Sequence, residues 1–294
     1  MVSPSVKGSQ YHCFFVEVVR ENHLFFTQDQ TSFTVKTTTQ SIRKLKGRRP
    51  IVAVTAYDFP TATFADRGGV DLILVGDSVG TTQLGFESTV PVTLEMILHH
   101  TAAVTRAHPS ALVVADLPFG LAQRDADPMF EVCCRLIQET GCDAIKIEGG
   151  VKLSAKIQRL VTAGIPVLGH VGLLPQSVKV YGGYRRFGKN AGEASSIVED
   201  ALALEESGVF AVVAEMLDPL TTARLQQELK IPVIGIGSGT DCDGQILVCN
   251  DLLGTNPGKT PSFAKAYGEI GQAMTDAFKA YAEEVREGLF PSRK

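Results

Sequence analysis

The chain has 294 residues, 44% of them hydrophobic, and its 28 Lys and Arg stand against 32 Asp and Glu, which gives a net charge of −4. A chain of this length and composition buries a large core, and it lacks the basic field that holds a phosphate backbone. Its apolar runs are far shorter than the ~20 residues of a membrane-spanning helix. We therefore expect no nucleic-acid partner and no membrane insertion.

Residues 1–40 have no clear helical or strand period, and we interpret them as a disordered N-terminal extension. Their content of Ser, Thr and Gln, with few acidic residues, leaves organelle targeting open as the alternative. The six cysteines form no C-x-x-C pair, which favours reduced thiols and a cytoplasmic location. Residues 41–294 are predicted to form one catalytic domain that ends in a helix.

From Ile51 onward one unit repeats, namely a short β-branched run, a loop and an amphipathic stretch stopped by glycine, which is typical of parallel βαβ units. The predicted strands are Ile51 to Ala56, Leu72 to Gly76, Leu112 to Asp116, Ala144 to Glu148, Pro166 to His170, Phe210 to Glu215, Pro232 to Gly237 and a weaker Gln245 to Cys249. The predicted helices are Thr93 to Arg106, Pro128 to Thr140, Val151 to Ala163 and Ser195 to Ser207. Eight strands favour a closed (β/α)8 TIM barrel, and an open doubly wound sheet is the alternative.

Ionisable residues lie at the carboxyl ends of these strands, where barrel enzymes carry their active sites. They are Asp77, Asp116, Lys146, Glu148, His170 and Glu215. Four carboxylates at one mouth repel one another unless a cation neutralises them. Oxygen ligands without cysteine select Mg²⁺ over zinc. The alternative is a set of solvated carboxylates that cap helix N-termini.

Lys146 and Glu148 lie two residues apart on one strand, so both side chains point to the same side, while Ile145 and Ile147 face the other way. We expect that side to be the barrel mouth, where a lysine can hold an oxyanion. A simple ion pair between Lys146 and a neighbouring acid is the alternative interpretation, and it is compatible with a role in the site.

Several runs of the sequence, in order, resemble the ketopantoate hydroxymethyltransferase family over about Ser41 to Pro291. The runs are Thr55 to Asp58, Leu74 to Ser78, Ala115 to Phe119, Lys146 to Gly150, Gly169 to Leu173, Pro175 to Val178, Gly182 to Tyr184 and Asp243 to Val248. The resemblance implies a (β/α)8 barrel of the phosphoenolpyruvate/pyruvate type. The sequence differs from the family pattern in its long N-terminal extension and in the loop from Arg185 to Ala194.

The resemblance also implies roles for the residues at the mouth. It places Mg²⁺ at Asp77, Asp116 and Glu148, the last acting through water. It makes Asp77, Ser78, Asp116 and Lys146 substrate-binding residues. It makes Glu215 the proton acceptor, and it places His170 in the active-site wall without an assigned role.

The reaction implied by the resemblance transfers a hydroxymethyl group from 5,10-methylenetetrahydrofolate to 3-methyl-2-oxobutanoate through a Mg²⁺-stabilised enolate, giving 2-dehydropantoate for pantothenate and coenzyme A synthesis. A small 2-oxo acid and a folate are thus the expected partners. The family also implies a homo-oligomer.

Two other functions stay open: a Mg²⁺-dependent carbon–carbon lyase or mutase acting on a 2-oxo acid, and a non-catalytic barrel that binds a metabolite. Relatives of the lyase and mutase class commonly carry a reactive cysteine, for which Cys242 is the nearest candidate. The segment Gly235 to Gly239 is read as turn glycines rather than as a phosphate-binding loop. Gly182 to Tyr184 is predicted to be a mobile loop over the mouth. The stretch from Phe263 to Val285 is predicted to be a helix that lies on the barrel or on a neighbouring subunit.

Overall fold

The computed structural model of the protein describes residues 35–258 and 260–292. The extension predicted for residues 1–40 therefore lies, up to residue 34, outside the described residues. None of the helices in the described part of the chain is long and apolar enough to cross a bilayer. All five cysteines in these residues are free thiols.

The strands of the described residues form one closed parallel barrel. They are β1 Ile51–Thr55, β2 Leu72–Val75, β3 Leu112–Asp116, β4 Ala144–Glu148, β5 Val167–Gly172, β6 Ala211–Glu215, β7 Val233–Ile236 and β8 Gly244–Leu247. Each strand pairs in parallel with its neighbours in sequence, and β8 pairs back with β1, where Ile51 lies opposite Gly244. The predicted barrel is confirmed, and the open sheet was the wrong alternative.

The helices of the described residues are α1 Thr39–Arg43, α2 Phe59–Arg67, α3 Val79–Thr82, α4 Leu94–Thr105, α5 Ala126–Thr140, α6 Ser154–Thr162, α7 Val178–Tyr181, α8 Ala191–Glu206, α9 Pro219–Glu228, α10 Cys249–Leu253 and α11 Ile270–Glu287. Helices α2 to α9 lie between consecutive strands in the chain, whereas α1 precedes β1, and α10 and α11 follow β8. Their ends follow the local sequence: the Thr93 side chain accepts a bond from the Met96 amide at the start of α4, and Gly141 ends α5 with a φ of 72°.

Two apolar cores follow from the alternation along each strand. Inward-facing residues such as Leu72, Leu112 and Ile234 pack inside the barrel, whereas Ile145 and Ile147 pack in the larger core between the strands and the helices. Because Ile145 and Ile147 face the helices, Lys146 and Glu148 face the barrel interior, as their spacing predicted. Side chains fill the interior of the barrel, so residues that can contact a ligand lie at the ends of the strands.

Predicted and observed bounds differ in two informative places. The predicted helix from Val151 to Ala163 divides into a short 3₁₀ turn, Val151–Leu153, followed by α6. The predicted helix from Phe263 begins only at Ile270. The segment before α11 brings Phe263 to the wall of the cavity at the strand ends, so the predicted start of this helix was wrong.

Candidate active site

A cavity of about 480 Å³ opens at the carboxyl ends of the strands. Every residue that the sequence predicted for the site lines this cavity: Asp77, Ser78, Asp116, Lys146, Glu148, His170 and Glu215. They come from the ends of β2 to β6 or from the residues that directly follow. Because all strands run in the same direction, their carboxyl ends meet at one face of the barrel, and residues distant in sequence lie close together there.

Lys146 and Asp116 form the centre of the acidic group. The Lys146 Nζ atom donates to both carboxylate oxygens of Asp116, at 2.7 and 2.8 Å, and lies 3.6 Å from Glu148 Oε1. The strand register explains the pairing, because Asp116 and Lys146 are direct neighbours across β3 and β4. The backbone N–H of Asp77 donates to Asp116 Oδ2 at 3.0 Å. All four residues are almost completely buried.

Gln176 connects three strand ends, a role that sequence reasoning missed. Its Nε2 donates to Asp77 Oδ2 and to the Leu117 carbonyl oxygen, both at 3.0 Å, and its backbone N–H donates to Glu148 Oε2 at 3.2 Å. These bonds fix the orientation of two carboxylates that would otherwise repel each other. Gln176 belongs to a run that supported the family resemblance, but nothing in the sequence indicated its contacts.

His170 stands between two carboxylates. Its Nε2 atom lies 3.2 Å from Glu215 Oε2, and its Nδ1 atom lies 3.6 Å from Glu148 Oε1. Both ring nitrogens and Glu148 Oε1 are buried and make no hydrogen bond within the part of the chain that the structure describes. Polar atoms buried in this way are typical of a site completed by water or ligand. Glu148 and Glu215 lie on the two sides of His170. Glu215 has 15% of its side chain exposed and Glu148 has 3%, so Glu215 is the more accessible of the two carboxylates.

Ser78 is held by a buried tyrosine. The hydroxyl groups of Tyr57 and Ser78 lie 2.8 Å apart in a hydrogen bond. Tyr57 is 1% exposed, and its carbonyl oxygen is 2.7 Å from Nδ1 of His100. Tyr57 thus orients a predicted substrate-binding hydroxyl, and His100 lies in the layer behind it rather than at the mouth.

The crowding of buried carboxylates changes their acidity. Burial, reinforced by the negative charge of Asp116, raises the pKa of Asp77 to about 8, and burial also raises the pKa of Asp116. Burial opposes ionisation of Glu148, but Lys146 and then His170 hold its pKa below the ordinary value. Burial alone would lower the pKa of His170, whereas Glu148 and Glu215 raise it to about 9. Lys146 also has a raised pKa, because its carboxylate neighbours outweigh its burial.

The donor set of this cluster fits a hard divalent cation. Within residues 35–258 and 260–292, no three His, Cys, Asp or Glu side chains already surround one point as metal ligands. Mg²⁺, however, takes one or two protein carboxylates and keeps its other positions for water and substrate. Burial and the charge of Asp116 raise the pKa of Asp77, and Glu148 Oε1 is buried without a hydrogen bond in the described residues, so a bound cation would stabilise both carboxylates. Asp77, Asp116 and Glu148 are the residues of this cluster that could hold such an ion.

Met216 marks strained backbone beside Glu215. Its φ of 49° lies in the left-handed region, which is rare for a residue other than glycine. The N–H of Met216 donates to the Ile236 carbonyl oxygen, and its own carbonyl oxygen accepts from the Phe187 amide. Strain of this kind persists where surrounding bonds enforce it, and it is concentrated at functional sites. A methionine at positive φ carries no signal in the sequence.

Fold and cavity together define a (β/α)8-barrel enzyme with an acidic, lysine-containing site at the strand ends. The model of the ketopantoate hydroxymethyltransferase family matches residues 36–293. The chain is 48% identical over 251 residues to 3-methyl-2-oxobutanoate hydroxymethyltransferase of Moorella thermoacetica, covering 85% of this chain and 93% of that relative. The enzyme of the same name from Pyrobaculum islandicum is 48% identical over 249 residues, covering 85% and 95%. The chain belongs to the ketopantoate hydroxymethyltransferase family and is a transferase, as the resemblance of its motifs predicted.

Solved structures of other enzymes share this fold. A phosphonopyruvate hydrolase superposes with a TM-score of 0.58 at 16% identity, covering 87% of this chain and 89% of that one. A 2,3-dimethylmalate lyase, described as a member of the PEP mutase/isocitrate lyase superfamily, superposes with a TM-score of 0.55 at 15% identity, covering 88% and 91%. At these identities the likeness concerns the fold alone, which is the closed (β/α)8 barrel.

Proposed function

We propose that this transferase adds the hydroxymethyl group to 3-methyl-2-oxobutanoate with 5,10-methylenetetrahydrofolate as donor, giving 2-dehydropantoate for pantothenate synthesis. The observation that carries the proposal is the arrangement of the cavity. A buried lysine and three buried carboxylates gather on one wall, and Glu215 stands beside His170 on the neighbouring wall. An oxo acid held at the first group can meet a base at the second.

Asp77 and Asp116 would hold Mg²⁺, with Glu148 acting through a water molecule. When bound, the ion supplies Lewis-acid polarisation of the 2-oxo group. Ser78, oriented by Tyr57, and Lys146 would donate hydrogen bonds to the oxygens of the oxo acid. Lys146 keeps its positive charge because its carboxylate neighbours raise its pKa, so it can stabilise the negative oxygen of the enolate.

Glu215 removes the C3 proton of the oxo acid as general base. The His170 imidazole, whose pKa its two carboxylate neighbours raise, lies 3.2 Å from Glu215 Oε2 as a charged neighbour of the base. Over the whole reaction, the methylene carbon of the folate loses both of its C–N bonds and gains one C–C bond to C3 and one C–O bond to the oxygen of water. The C3 proton and one water proton pass to the two folate nitrogens. Tetrahydrofolate leaves, and no oxidant or reductant is consumed.

The proposal is tested by hydrogen exchange without folate. The protein is incubated in deuterated water with Mg²⁺ and 3-methyl-2-oxobutanoate, and the C3 proton is followed by NMR. We expect exchange that depends on the metal, because base and oxyanion-stabilising groups act before the folate is needed. Absence of exchange, together with absence of product after methylenetetrahydrofolate is added, would overturn the proposal.

Replacement of Asp77 by Asn is expected to weaken Mg²⁺ binding by more than about tenfold, since even the indirect partners of metal ligands are worth ~10–100-fold in affinity. Asn keeps an acceptor oxygen for the Gln176 amide but removes the negative charge. Titration calorimetry with Mg²⁺ alone measures the effect. Asp241→Asn is the matched control, because Asp241 is exposed and lies outside the cavity. Equal affinity in the two variants would exclude Asp77 as a ligand.

A homo-oligomer is part of the proposed function, and α11 is its proposed contact. Apolar side chains recur along one face of this helix at helical spacing, and each is 44% to 68% exposed: Ile270, Met274, Phe278, Tyr281 and Val285. None of the residues of α11 is buried. A continuous apolar stripe of this kind marks an interaction surface, and a second copy of the chain is the occupant we propose.

Met274→Glu combined with Phe278→Glu is expected to dissociate the oligomer, because charges on the stripe cannot be buried without partners. Light scattering coupled to gel filtration would then report a species near the chain mass of 31.5 kDa. The control is Gln272→Glu with Lys279→Gln, which adds the same negative charge outside the stripe. A monomeric parent protein, or equal assembly of both variants, would contradict this interface.

The lyase or mutase alternative receives no support from the cysteines. Burial, followed by the charges of Asp243 and Asp241, raises the pKa of the Cys242 thiol to about 11, which makes it a poor nucleophile at neutral pH. Cys242 also lies outside the residues that line the cavity. The free thiols of the described residues accord with the cytoplasmic location that we propose.

A further inference from the structure

The cavity contains a second region that the oxo acid does not need. Its volume of about 480 Å³ lies within the ~300–1,000 Å³ of sites that enclose drug-sized ligands, whereas 3-methyl-2-oxobutanoate is a very small molecule. The acidic cluster occupies the wall built from β2 to β6. The opposite wall, built by β7, β8 and the segment that follows β8, is here called the β8 wall; its members are Ile236, Leu247, Val248, Asp251, Asn256 and Phe263.

Asp251 and Asn256 are the polar members of the β8 wall, and Ser262, beside Phe263, also lines the cavity. Asp251 is 5% exposed and faces the cavity. Its Oδ1 atom accepts a bond from the Asn256 side-chain amide at 2.9 Å. Within the described residues, Asp251 Oδ2 accepts no hydrogen bond and Asp251 has no cationic partner. Asp251 Oδ2 is not one of the fully buried polar atoms that lack a partner, so this oxygen is open to a donor that enters the cavity.

Apolar groups lie close together at the end of β7, next to the proposed base. Gly237 has a φ of 62°, and a Cβ atom there would lie 2.7 Å from Met216 Sδ and 3.0 Å from Phe263 Cδ1. Only glycine at position 237 allows the side chains of Met216 and Phe263 to approach the backbone there so closely. Both side chains line the cavity, and Met216 directly follows Glu215 in sequence. A flat ring bound on this wall would therefore lie near the atom from which Glu215 takes its proton.

We propose that the β8 wall binds the pterin ring of the reduced folate, with Asp251 as the residue that recognises it. A pterin is a flat ring system whose 2-amino group and N3–H form two adjacent donors on one edge. A carboxylate accepts such a pair directly, and each of its oxygens can take more than one bond. Phe263 and Met216 contact the apolar part of the ring. This inference rests on the proposed function, because it names where that reaction's donor binds.

Asp251→Asn is expected to weaken binding of tetrahydrofolate, measured by calorimetry, and to raise KM for methylenetetrahydrofolate, each by more than about tenfold. Asn keeps the size of the side chain and its bond to Asn256, so the wall is preserved. The exchange of the C3 proton without folate should fall much less than the folate affinity. Asp241→Asn, an exposed carboxylate outside the cavity, is the matched control.

A 2-desamino analogue of tetrahydrofolate separates recognition from a structural role. The parent protein should bind the analogue at least about tenfold more weakly than tetrahydrofolate, because a site built for N–H donors rejects a ligand that lacks one. Asp251→Asn should bind the two ligands with nearly equal affinity. If the parent transfers hydroxymethyl groups but the variant keeps full folate affinity, or still discriminates against the analogue, the inference is wrong. If the parent shows neither exchange nor transfer, the proposed function itself has failed.

Discussion

Glu215→Gln is expected to lower the rate of C3–H exchange by about 10²–10⁴-fold, the contribution usual for a general base. Gln has the same shape and can stay beside His170, but it cannot accept a proton at neutral pH. The exchange assay in deuterated water without folate measures the effect directly. Overall transfer should fall to the same degree, since the enolate is required before the one-carbon unit can be attacked.

The Mg²⁺ affinity of Glu215→Gln shows whether the variant has lost only the base or has also lost the structure of the metal site. Asp77, Asp116 and Glu148 are proposed to hold the ion, and Glu215 is not. Glu215→Gln should therefore bind Mg²⁺ nearly as well as the parent. Glu206→Gln is the matched control, because Glu206 is exposed on α8. If Glu215→Gln exchanges the proton at the parental rate, the base is another group.

The strands and the residues at their ends could be predicted because the signals that mark them lie in short stretches of the sequence. Near-continuous apolar runs mark strands buried on both faces, and the predicted bounds of β3 and β4 agree with the structure at both ends. Since all strands run in parallel, the residues at their ends meet at one mouth. That rule alone placed Asp116 and Glu148 in the same cavity. It also placed Lys146 and Glu148 on one side of β4, while Ile145 and Ile147 face the helices.

Residues that act from loops could not be predicted in the same way. Gln176 reaches Asp77 across 99 positions of sequence, and Tyr57 reaches Ser78 from the segment after β1. Such contacts depend on the three-dimensional paths of loops, which no period or spacing encodes. The segment before α11 gives the clearest case, because helical spacing in the sequence concealed that Phe263 belongs to the cavity wall.

The last prediction concerns the charge balance of the cluster. Lys146→Met is expected to lower the free energy of unfolding by about 3–5 kcal/mol, the usual cost of removing one partner from a buried ion pair. Met preserves most of the apolar stem, so the loss isolates the charge. Asp116, 1% exposed, would then keep its carboxylate beside those of Asp77 and Glu148 without the ammonium group that bonds to it. Urea denaturation in the presence of a chelator measures the change.

Lys152→Met is the control, since Lys152 is exposed and such surface changes usually stay within about 0.5 kcal/mol. Mg²⁺ should then stabilise Lys146→Met more than it stabilises the parent, because a bound ion raises the stability of the folded state by mass action and here also replaces a missing positive charge. A variant as stable as the parent without metal would mean that Asp77 and Asp116 carry enough protons to make Lys146 dispensable for folding. Lys146 would then be retained for its contact with substrate alone, and the cluster would need no metal to be stable.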